Sequence, residues 1–477
     1  METCLPSVAF RTLGCKLNQC ETETIASAFT NAGFSVTDDI SDAWLLVVNT
    51  CSVTSKAEQK GRGTIRAALR RNPSCPVIVT GCYAEVDRAG LEALDSGSTG
   101  RRLFVIPGAQ KSRILDMPAM LAGEGLRDKA SLREALSRIC GGGAGGSMAA
   151  AGSTAAAFRF DATTPILHSR AFLKIQDGCD NSCAYCLVRV ARGASRSLPA
   201  GMVLERLRVV EGAGLAEAVL TGVNIGRWNG AANGGLPELL QTLVSGTKDV
   251  RIRLSSLEPD VFTEGFFTVL QNTRILPHFH ISIQSGSAEI LKRMGRFYEP
   301  EAVLGAIRRL REIKDDPFIA CDIIAGFPGE TDRHFSETYD FCESAAFTQI
   351  HVFPFSRRRG TAAWDYKPRV PEREAEKRVS ILKNFSALSR KRYVERWIGR
   401  KTGGICISLP AQTADPAGFV EILTDNYLRV GAQPPRVSSF PPQKGRRLEC
   451  GITAPADSHR AVCETAPPID AYGKILG

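Results

Sequence analysis

Three closely spaced cysteines offer the clearest chemistry in the sequence. Cys179, Cys183 and Cys186, called here the first cysteine set, follow the pattern C-x3-C-x2-C directly after an apolar segment, Phe172–Gln176, that predicts a short buried strand. Thiolates are soft ligands that suit zinc or iron–sulfur clusters, and a structural zinc site needs four ligands. This loop supplies three, so a four-iron cluster bound here would keep one iron open for chemistry. A zinc knuckle completed by a distant residue and three structural thiols are the alternatives.

Three other cysteines are far apart in the sequence but occupy equivalent positions, each just after a predicted strand. This second cysteine set consists of Cys15, Cys51 and Cys82, and the strands before them are Val8–Leu13, Ala43–Val48 and Pro76–Thr80. The carboxyl ends of neighbouring parallel strands lie at one edge of a sheet, so we expect the three thiols to converge. The alternative is that they are small residues at tight turns. The nine remaining cysteines show no such pattern and are interpreted as buried or incidental thiols.

The elements that must position these cysteines form two successive alternations of strands and helices, which predict an α/β fold. The first alternation predicts an N-terminal doubly wound parallel sheet over residues 1–140. A stretch rich in glycine and alanine predicts a flexible linker over residues 141–157. Six further strand–helix units predict a partial (β/α)6 barrel over residues 158–390. Short strands then predict a small antiparallel β domain within residues 391–477, of which Gln443–Gly477 has no clear pattern.

The composition is ordinary for a soluble globular protein, and the length of 477 residues allows about three domains. The start of the chain lacks the charged and apolar regions of a signal peptide, and no apolar run reaches the roughly 18 residues that span a membrane. We therefore expect a reducing, cytoplasmic environment. In such an environment clustered cysteines serve metal binding or catalysis more often than disulfides.

Positive charge is concentrated near the end of a helix predicted over Ala375–Arg400. The net charge of the chain is +10, which is compatible with an RNA partner. Between positions 377 and 401 there are nine lysines or arginines and one acidic residue. Six of them are candidate RNA-binding residues, called here the basic set: Arg390, Lys391, Arg392, Arg396, Arg400 and Lys401. The alternative is a solvated helix face without a nucleic-acid partner.

The sequence resembles the radical S-adenosylmethionine methylthiotransferases from about Val8 to Val430. Both cysteine sets, the linker between them and a C-terminal segment similar to the RNA-binding β-barrel module TRAM carry this resemblance. It implies one 4Fe–4S cluster on each cysteine set, and an open iron on the first set that binds the amino and carboxylate groups of S-adenosylmethionine. The first cysteine set would then be catalytic, because an electron from its cluster would cleave that cosubstrate to a radical.

Within this family the sequence resembles the branch that acts on N6-threonylcarbamoyladenosine in tRNA. Segments that carry this finer resemblance include Leu13–Asn18, Asn49–Thr54, Leu220–Gly226, Arg253–Pro259 and His280–Ser287. The implied reaction is methylthiolation at C2 of that adenosine, next to the anticodon on its 3′ side, with S-adenosylmethionine as radical source and methyl donor. The implied partners are the anticodon stem–loop of tRNA and a reducing electron donor of unknown identity.

Other functions stay open at this point. The remaining branches of the family act on isopentenyladenosine in tRNA or on an aspartate of a ribosomal protein. A non-enzymatic iron–sulfur RNA-binding protein is a further alternative, and it would need no open iron. Detection of 5′-deoxyadenosine after reduction with S-adenosylmethionine would separate an enzyme from a binding protein.

Five polar residues at or near predicted strand ends are candidates to hold S-adenosylmethionine: Thr221, Asn224, Ser255, Glu258 and Gln284. Each of them alone is also compatible with a structural turn. Two positions depart from the family pattern. Arg189 replaces a proline that is usual three residues after the last cysteine of the first set, which bears on the loop geometry. Cys20 lies where the family usually has no cysteine, and we interpret it as an inert thiol beside the second cysteine set.

Overall fold

The computed structural model describes residues 5–96, 101–141, 153–231, 234–409, 419–433, 443–455 and 469–476. Residues 142–152, which make up most of the predicted linker, lie outside the described residues, as do Cys4 and Cys463. No helix within the described ranges is long and apolar enough to cross a membrane.

The N-terminal part is a parallel sheet, as the sequence predicts. It has five strands, one more than predicted, in the order β2-β1-β3-β4-β5. This order is one of the two common doubly wound arrangements. Its strands are β1 (Leu5–Thr12), β2 (Phe34–Thr37), β3 (Leu45–Thr50), β4 (Val77–Gly81) and β5 (Leu103–Val105). Its helices are α1 (Lys16–Asn31), α2 (Ser55–Arg71), α3 (Cys82–Val86), α4 (Arg88–Glu92), α5 (Met117–Ala122) and α6 (Lys129–Gly141).

Two apolar clusters fix this sheet between its helices. On one face Ile25 and Phe29 of α1 pack with Leu132 of α6, and on the other face Ile65 and Leu69 of α2 pack on the strands. Burying a side chain of this size contributes about 1.5–3 kcal/mol. The turns that follow β1, β3 and β4 therefore start from a rigid base.

The central part is a partial barrel of parallel strands, also as predicted. Its strands are β6 (Ala171–Lys174), β9 (Glu217–Thr221), β10 (Arg251–Leu254), β11 (Ser256–Leu257), β12 (His278–Gln284), β13 (Phe318–Ala325) and β14 (Gln349–Pro354). Ser255 alone separates β10 from β11, which belong to the sheets β10-β9-β6 and β11-β12-β13-β14. With β10 and β11 counted as one interrupted strand, the barrel has the six predicted strands.

Helices cover the outside of this barrel, and two short paired strands flank the segment that carries the first cysteine set. The helices are α7 (Thr154–Ala157), α8 (Val188–Arg192), α9 (Ala200–Gly212), α10 (Leu236–Gly246), α11 (Glu264–Leu270), α12 (Ala288–Met294), α13 (Pro300–Ile313) and α14 (Asp332–Ala345). The two short strands, β7 (Gln176–Asp177) and β8 (Arg196–Ser197), pair in antiparallel register.

The last part is a closed barrel of order β15-β16-β17-β19-β18. Its strands are β15 (Lys401–Ser408), β16 (Val420–Thr424), β17 (Arg429–Gln433), β18 (Arg447–Pro455) and β19 (Ala471–Leu476). The last two come from the segment that had no clear pattern in the sequence. The expectation of a wholly antiparallel domain is wrong for one pair, because β17 and β19 run parallel.

One long helix, α15 (Glu372–Trp397), connects the central barrel to the closed barrel. The boundary predicted between positions 390 and 391 falls inside this helix. The Tyr393 hydroxyl donates to the carbonyl oxygen of Asp316 in the central part at 2.9 Å. It also accepts from Asn426 Nδ2 in the closed barrel at 3.0 Å. Trp397 is buried in the core of the closed barrel, so the helix is fixed at both of its contacts.

Candidate active site: two converging cysteine sets

The first cysteine set lies in the loop between β7 and α8, at the carboxyl end of the first barrel strand. The Cys186 N–H donates to the Cys183 carbonyl at 3.1 Å, and this turn brings the three thiols close enough to interact electrostatically. None of the three forms a disulfide. Burial raises the pKa of Cys186 to about 12, so its thiol keeps its proton until a metal displaces it. Three unpaired, converging thiols fit an iron–sulfur cluster.

Arg296 and Glu258 tie the first cysteine set to the barrel. The Arg296 guanidinium pairs with Glu258 and donates to the Ser282 carbonyl on β12 at 3.0 Å. The other carboxylate oxygen of Glu258 accepts from Asn181, inside the cysteine loop, at 2.8 Å. Both oxygens of Glu258, a predicted cosubstrate ligand, thus already have partners within the protein. Sequence reasoning missed Arg296 and Asn181, since no local pattern marks either residue.

Three of the predicted cosubstrate residues carry buried polar atoms that lack partners. Thr221 Oγ1, Asn224 Oδ1, Asn224 Nδ2 and Ser255 Oγ have no hydrogen-bond partner among the described residues. A buried polar group left in this state costs about 1–3 kcal/mol, which a bound ligand recovers. The carboxyl ends of β9 and β10 thus present groups that a polar small molecule satisfies, which is the fit expected for S-adenosylmethionine.

Two glutamines complete this region. Gln176 Oε1 accepts from the backbone N–H groups of Val223 and Asn224 at 2.9 and 2.8 Å, and its Nε2 donates to the Gly178 carbonyl at 2.8 Å. Gln176, which sequence reasoning missed, thereby holds the turn after β9 against the first cysteine set. Gln284, a predicted cosubstrate residue, ends β12 with φ +74°, a left-handed conformation that is uncommon outside glycine and often occurs at functional sites.

The second cysteine set converges at the carboxyl edge of the N-terminal sheet, as the strand positions predict. Burial, followed by the proximity of Cys15 and Cys82, raises the pKa of Cys51 to about 12. Gly14 and Gly81 both have φ +102°, and a Cβ at Gly14 would lie 2.8 Å from Cys51 Sγ. Within the described ranges no three histidine, cysteine or carboxylate side chains are grouped tightly enough for one metal ion.

Arg192 links the segment that follows the first cysteine set to the second cysteine set. It follows the first set on α8, and its Nε lies 3.3 Å from Cys82 Sγ of the second set. Its other nitrogens donate to Asp177 at 3.0 Å, to Glu21 at 2.9 Å and to Asn18 at 2.7 Å. This side chain is 8% exposed, so its charge is compensated by these partners rather than by water.

Two lysines extend this buried network. Lys174 Nζ lies 2.9 Å from Glu21 and 2.7 Å from Asp177, and Lys111 also pairs with Glu21. These charged groups and Cys82 line a cavity of about 320 Å³ between the N-terminal sheet and the central barrel. The two parts thus meet through charged side chains beside the second cysteine set.

In the structure, three members of the basic set pair with acidic residues outside α15. Arg390 pairs with Asp470 at 2.6 Å, Arg396 with Asp316 at 2.9 Å, and Arg400 with Asp315 at 2.5 Å. These three arginines hold α15 against the closed barrel and the central part. The other three, called here the exposed members, are Lys391, Arg392 and Lys401. They are exposed to solvent, and Lys391 also lies 4.0 Å from Glu395 on the same helix. An RNA contact by the basic set remains a prediction that rests on the exposed members.

The two departures from the family pattern lie in different surroundings. Cys20 is fully buried, donates to the Phe172 carbonyl at 3.0 Å, and has its pKa raised by burial to about 12. It contributes to packing between α1 and β6. Arg189 is exposed on α8.

Two family descriptions match the chain, one for each cysteine set. Residues 7–99, which contain the second cysteine set, match the uncharacterized protein family UPF0004. Residues 173–342, which contain the first cysteine set, match the radical SAM superfamily. Enzymes of that superfamily use S-adenosylmethionine and a 4Fe–4S cluster, and these two cofactors apply to this chain.

Curated relatives match almost the whole chain. A protein of Treponema pallidum named threonylcarbamoyladenosine tRNA methylthiotransferase is 37% identical, with 88% of this chain and 93% of the relative covered. A protein of the same name from Thermotoga maritima is 34% identical, and the match covers 83% of this chain and 86% of that protein. A tRNA-2-methylthio-N(6)-dimethylallyladenosine synthase of Akkermansia muciniphila is 31% identical, and the match covers 79% of this chain and 83% of that protein.

Among solved structures, the radical S-adenosylmethionine methyltransferase TsrM of Kitasatospora setae matches 75% of this chain and 77% of its own, at 15% identity and a TM-score of 0.47. The sequence identities to the curated relatives, over most of both chains, decide the family. The chain is an enzyme of the radical S-adenosylmethionine methylthiotransferase family, in the branch whose members carry the name threonylcarbamoyladenosine tRNA methylthiotransferase.

Proposed function

We propose that this enzyme adds a methylthio group to C2 of N6-threonylcarbamoyladenosine, next to the anticodon on its 3′ side, in tRNA. The observation that carries the proposal is that the chain holds two sets of three free thiols, and that Arg192, six residues after the last cysteine of the first set, lies 3.3 Å from Cys82 of the second. A radical reaction at one set and sulfur transfer at the other require this proximity. The names of the relatives support the choice of substrate. The proposal places the enzyme in the cytoplasm, with tRNA and an electron donor as partners.

We assign a 4Fe–4S cluster to each cysteine set. When bound, the cluster on the first set supplies an electron for reductive cleavage of S-adenosylmethionine, and the cluster on the second set supplies sulfur. Thr221, Asn224 and Ser255 hold the cosubstrate through their unpartnered polar atoms. Arg296 and Glu258 orient the cysteine loop, and Arg192 orients Cys82 through its hydrogen bond to the sulfur.

Mass spectrometry of tRNA nucleosides tests this function. In cells that express the protein, threonylcarbamoyladenosine should gain a methylthio group, and in cells without it this product should be absent. The purified, reconstituted enzyme should do the same on an anticodon stem–loop. A methylthio group found on isopentenyladenosine alone, or on a ribosomal protein aspartate, would overturn the proposed substrate.

Ser255→Ala should weaken S-adenosylmethionine binding about fivefold to tenfold, because one net hydrogen bond of about 1 kcal/mol is lost. The unliganded protein should keep its stability within about 0.5 kcal/mol, since this hydroxyl has no partner in the folded chain to lose. Equilibrium dialysis of the cosubstrate and thermal unfolding measure the two quantities. Ser245→Ala, at an exposed serine on α10, is the matched control, and equal affinities in the two variants would remove Ser255 from the site.

Replacement of Lys391, Arg392 and Lys401 by alanine should weaken tRNA binding and reduce its salt dependence. Each phosphate contact releases counterions, so three lost contacts lower the slope of log affinity against log salt by about two units for single-stranded RNA. The control removes Lys60, Arg66 and Arg70, which are exposed on α2 and carry the same total charge. Fluorescence anisotropy at several salt concentrations measures the tRNA affinity of the wild-type protein and of both triple variants. An equal slope in the two triple variants would mean that the exposed members of the basic set do not contact RNA.

A further inference from the structure

A chain of polar side chains crosses the inner face of the central barrel. Ser256 Oγ lies 3.2 Å from His280 Nδ1, and His280 Nε2 lies 2.9 Å from Asp322 Oδ1. Ser282 Oγ donates to Asp322 Oδ2 at 3.5 Å. The His351 ring centre is 5.1 Å from that of His280. These five residues, called here the polar floor, belong to four neighbouring strands, β11 to β14, and two pairs of them are in direct register.

The polar floor is not part of the apolar core. Along β12, Phe279, Ile281 and Ile283 are fully buried against the outer helices, whereas His280 and Ser282 alternate with them and point to the inside. The interior of a parallel barrel is usually filled by valine, isoleucine and leucine. Here it holds histidine, serine and aspartate, and the side chains of His280 and Asp322 stay 20% exposed. Their accessibility leaves room for a ligand.

The two cysteine sets border the polar floor on different sides. The backbone carbonyl of Ser282 accepts from Arg296, whose charge also acts on Cys183 of the first set. Lys16, directly after Cys15 of the second set, is near enough to His351 to act on its pKa. A base placed between the two sets therefore has the polar floor beside it.

Positive charge exceeds negative charge at the same place. Lys16, Arg170 and Arg253 lie near two carboxylates, those of Glu217 and Asp425. Arg253 contacts the Glu217 carboxylate at 2.7 and 2.8 Å. The charge of Lys16, with those of the two arginines, lowers the pKa of Tyr427 to about 8. An anionic group that enters here is attracted by this excess charge.

The histidines supply directed hydrogen bonds as well. Burial, together with the charges of His280 and Lys16, lowers the pKa of His351, so its imidazole is neutral near pH 7. It then offers one N–H donor and one acceptor nitrogen. Asp322 fixes the ring of His280 through the 2.9 Å contact, which leaves the position of that ring well defined.

From this arrangement we propose that the polar floor and Lys16 form the subsite for the N6 substituent of the substrate adenosine. They select a substituent with a carboxylate and hydrogen-bonding groups over an apolar prenyl chain. The inference rests on the proposed function, because it takes the target base to lie between the cysteine sets. C2 and N6 lie on either side of N1 of adenine, so a base with C2 toward the clusters carries its N6 substituent into the same barrel.

Discrimination follows from hydrogen-bond satisfaction. A threonylcarbamoyl group brings a carboxylate, a hydroxyl and ureido N–H groups, which match Lys16, His351 and Ser256 in charge and hydrogen-bonding capacity. An isopentenyl group brings none of these and would displace water from the polar floor without replacing its hydrogen bonds. Sites built to bind a polar substituent reject analogues without it for this reason.

The test measures affinity for three anticodon stem–loops that differ only in the target residue: threonylcarbamoyladenosine, isopentenyladenosine or adenosine. The reconstituted enzyme with S-adenosylmethionine but no reductant binds each RNA without turnover. The wild-type protein should prefer the threonylcarbamoyl RNA over the unmodified one by about tenfold or more. His351→Leu and Lys16→Met should each lower that preference about tenfold, since the first removes a hydrogen bond and the second a charge-assisted contact. Affinity for the unmodified RNA should not change.

Two further variants and one assay separate the possible outcomes. His351→Gln, which keeps hydrogen bonding, should retain most of the preference, and Lys60→Met on exposed α2 should retain all of it. Uncoupled 5′-deoxyadenosine formation should persist in Lys60→Met. If wild-type enzyme methylthiolates the threonylcarbamoyl RNA while His351→Leu and Lys16→Met keep the full preference, or lose affinity equally for all three RNAs, the polar floor is not the subsite. If wild-type enzyme acts only on the isopentenyl RNA, the proposed function fails first.

Discussion

Cys51→Ala is expected to abolish methylthiolation while leaving cleavage of S-adenosylmethionine intact, whereas Cys183→Ala is expected to abolish both. Cys183 belongs to the first cysteine set, beside the unpartnered polar atoms at the ends of β9 and β10. Cys51 belongs to the second set, on a different sheet. The reconstituted wild-type enzyme should hold about eight irons per chain and each variant about four. Iron and sulfide content, 5′-deoxyadenosine and the methylthiolated nucleoside are the quantities to measure.

Cys20→Ala is the matched control for these two variants. Cys20 is buried five residues after Cys15, but its thiol donates to a backbone carbonyl and packs between α1 and β6. Its replacement should leave both the iron content and the activities unchanged. Loss of the same cluster in Cys51→Ala and Cys183→Ala would contradict the assignment of one cluster to each set.

Arg192→Leu should lower the free energy of opening around β6 and α1 by about 3–5 kcal/mol, the usual cost of removing one partner from a buried ion-pair network. Glu21 and Asp177 would keep their lysine partners but lose the guanidinium between them. The second cluster should also bind less tightly, because Arg192 contacts Cys82. Hydrogen exchange of the amides in β6 and α1 measures the opening free energy.

Arg189→Leu provides the comparison, since Arg189 is an exposed arginine on the same short helix. A substitution at such a position changes stability by less than about 0.5 kcal/mol. Equal exchange rates in the two variants would show that the network around Arg192 does not hold the two parts together.

The positions of both cysteine sets could be predicted because each cysteine follows a strand, and parallel strands bring their carboxyl ends together. The strand patterns at Leu45–Thr50 and Val77–Gly81 are strongly apolar, so the edge that carries Cys51 and Cys82 is defined locally. Short or irregular elements were not predictable in this way. Phe34–Thr37 is a four-residue edge strand, and Ala471–Leu476 pairs with a strand some forty residues away.

Some predicted site residues turned out to have hydrogen-bond or ion-pair partners that are distant in the sequence, which the sequence alone could not show. Glu258 stands at a strand end, as a cosubstrate ligand would, but its oxygens are taken by Arg296 and Asn181. The run of positive residues along α15 predicted a surface for RNA. The sequence could not show that Asp470 pairs with Arg390 and Asp315 with Arg400. A sequence records which side chains are charged, and the fold determines which charges neutralise each other.

The continuous helix α15 and the two hydrogen bonds of Tyr393 fix the closed barrel on the central barrel, with no hinge along 26 helical residues. An RNA held by the closed barrel is therefore kept at a constant distance from the cysteine sets. The enzyme cannot bring the target nucleotide closer by swinging one domain toward the other. If the substrate is the proposed one, the nucleotide itself must leave the stack of the anticodon loop and rotate outward, at an unstacking cost of a few kcal/mol. Anticodon loops that open easily should then be modified fastest, whatever their affinity for the enzyme.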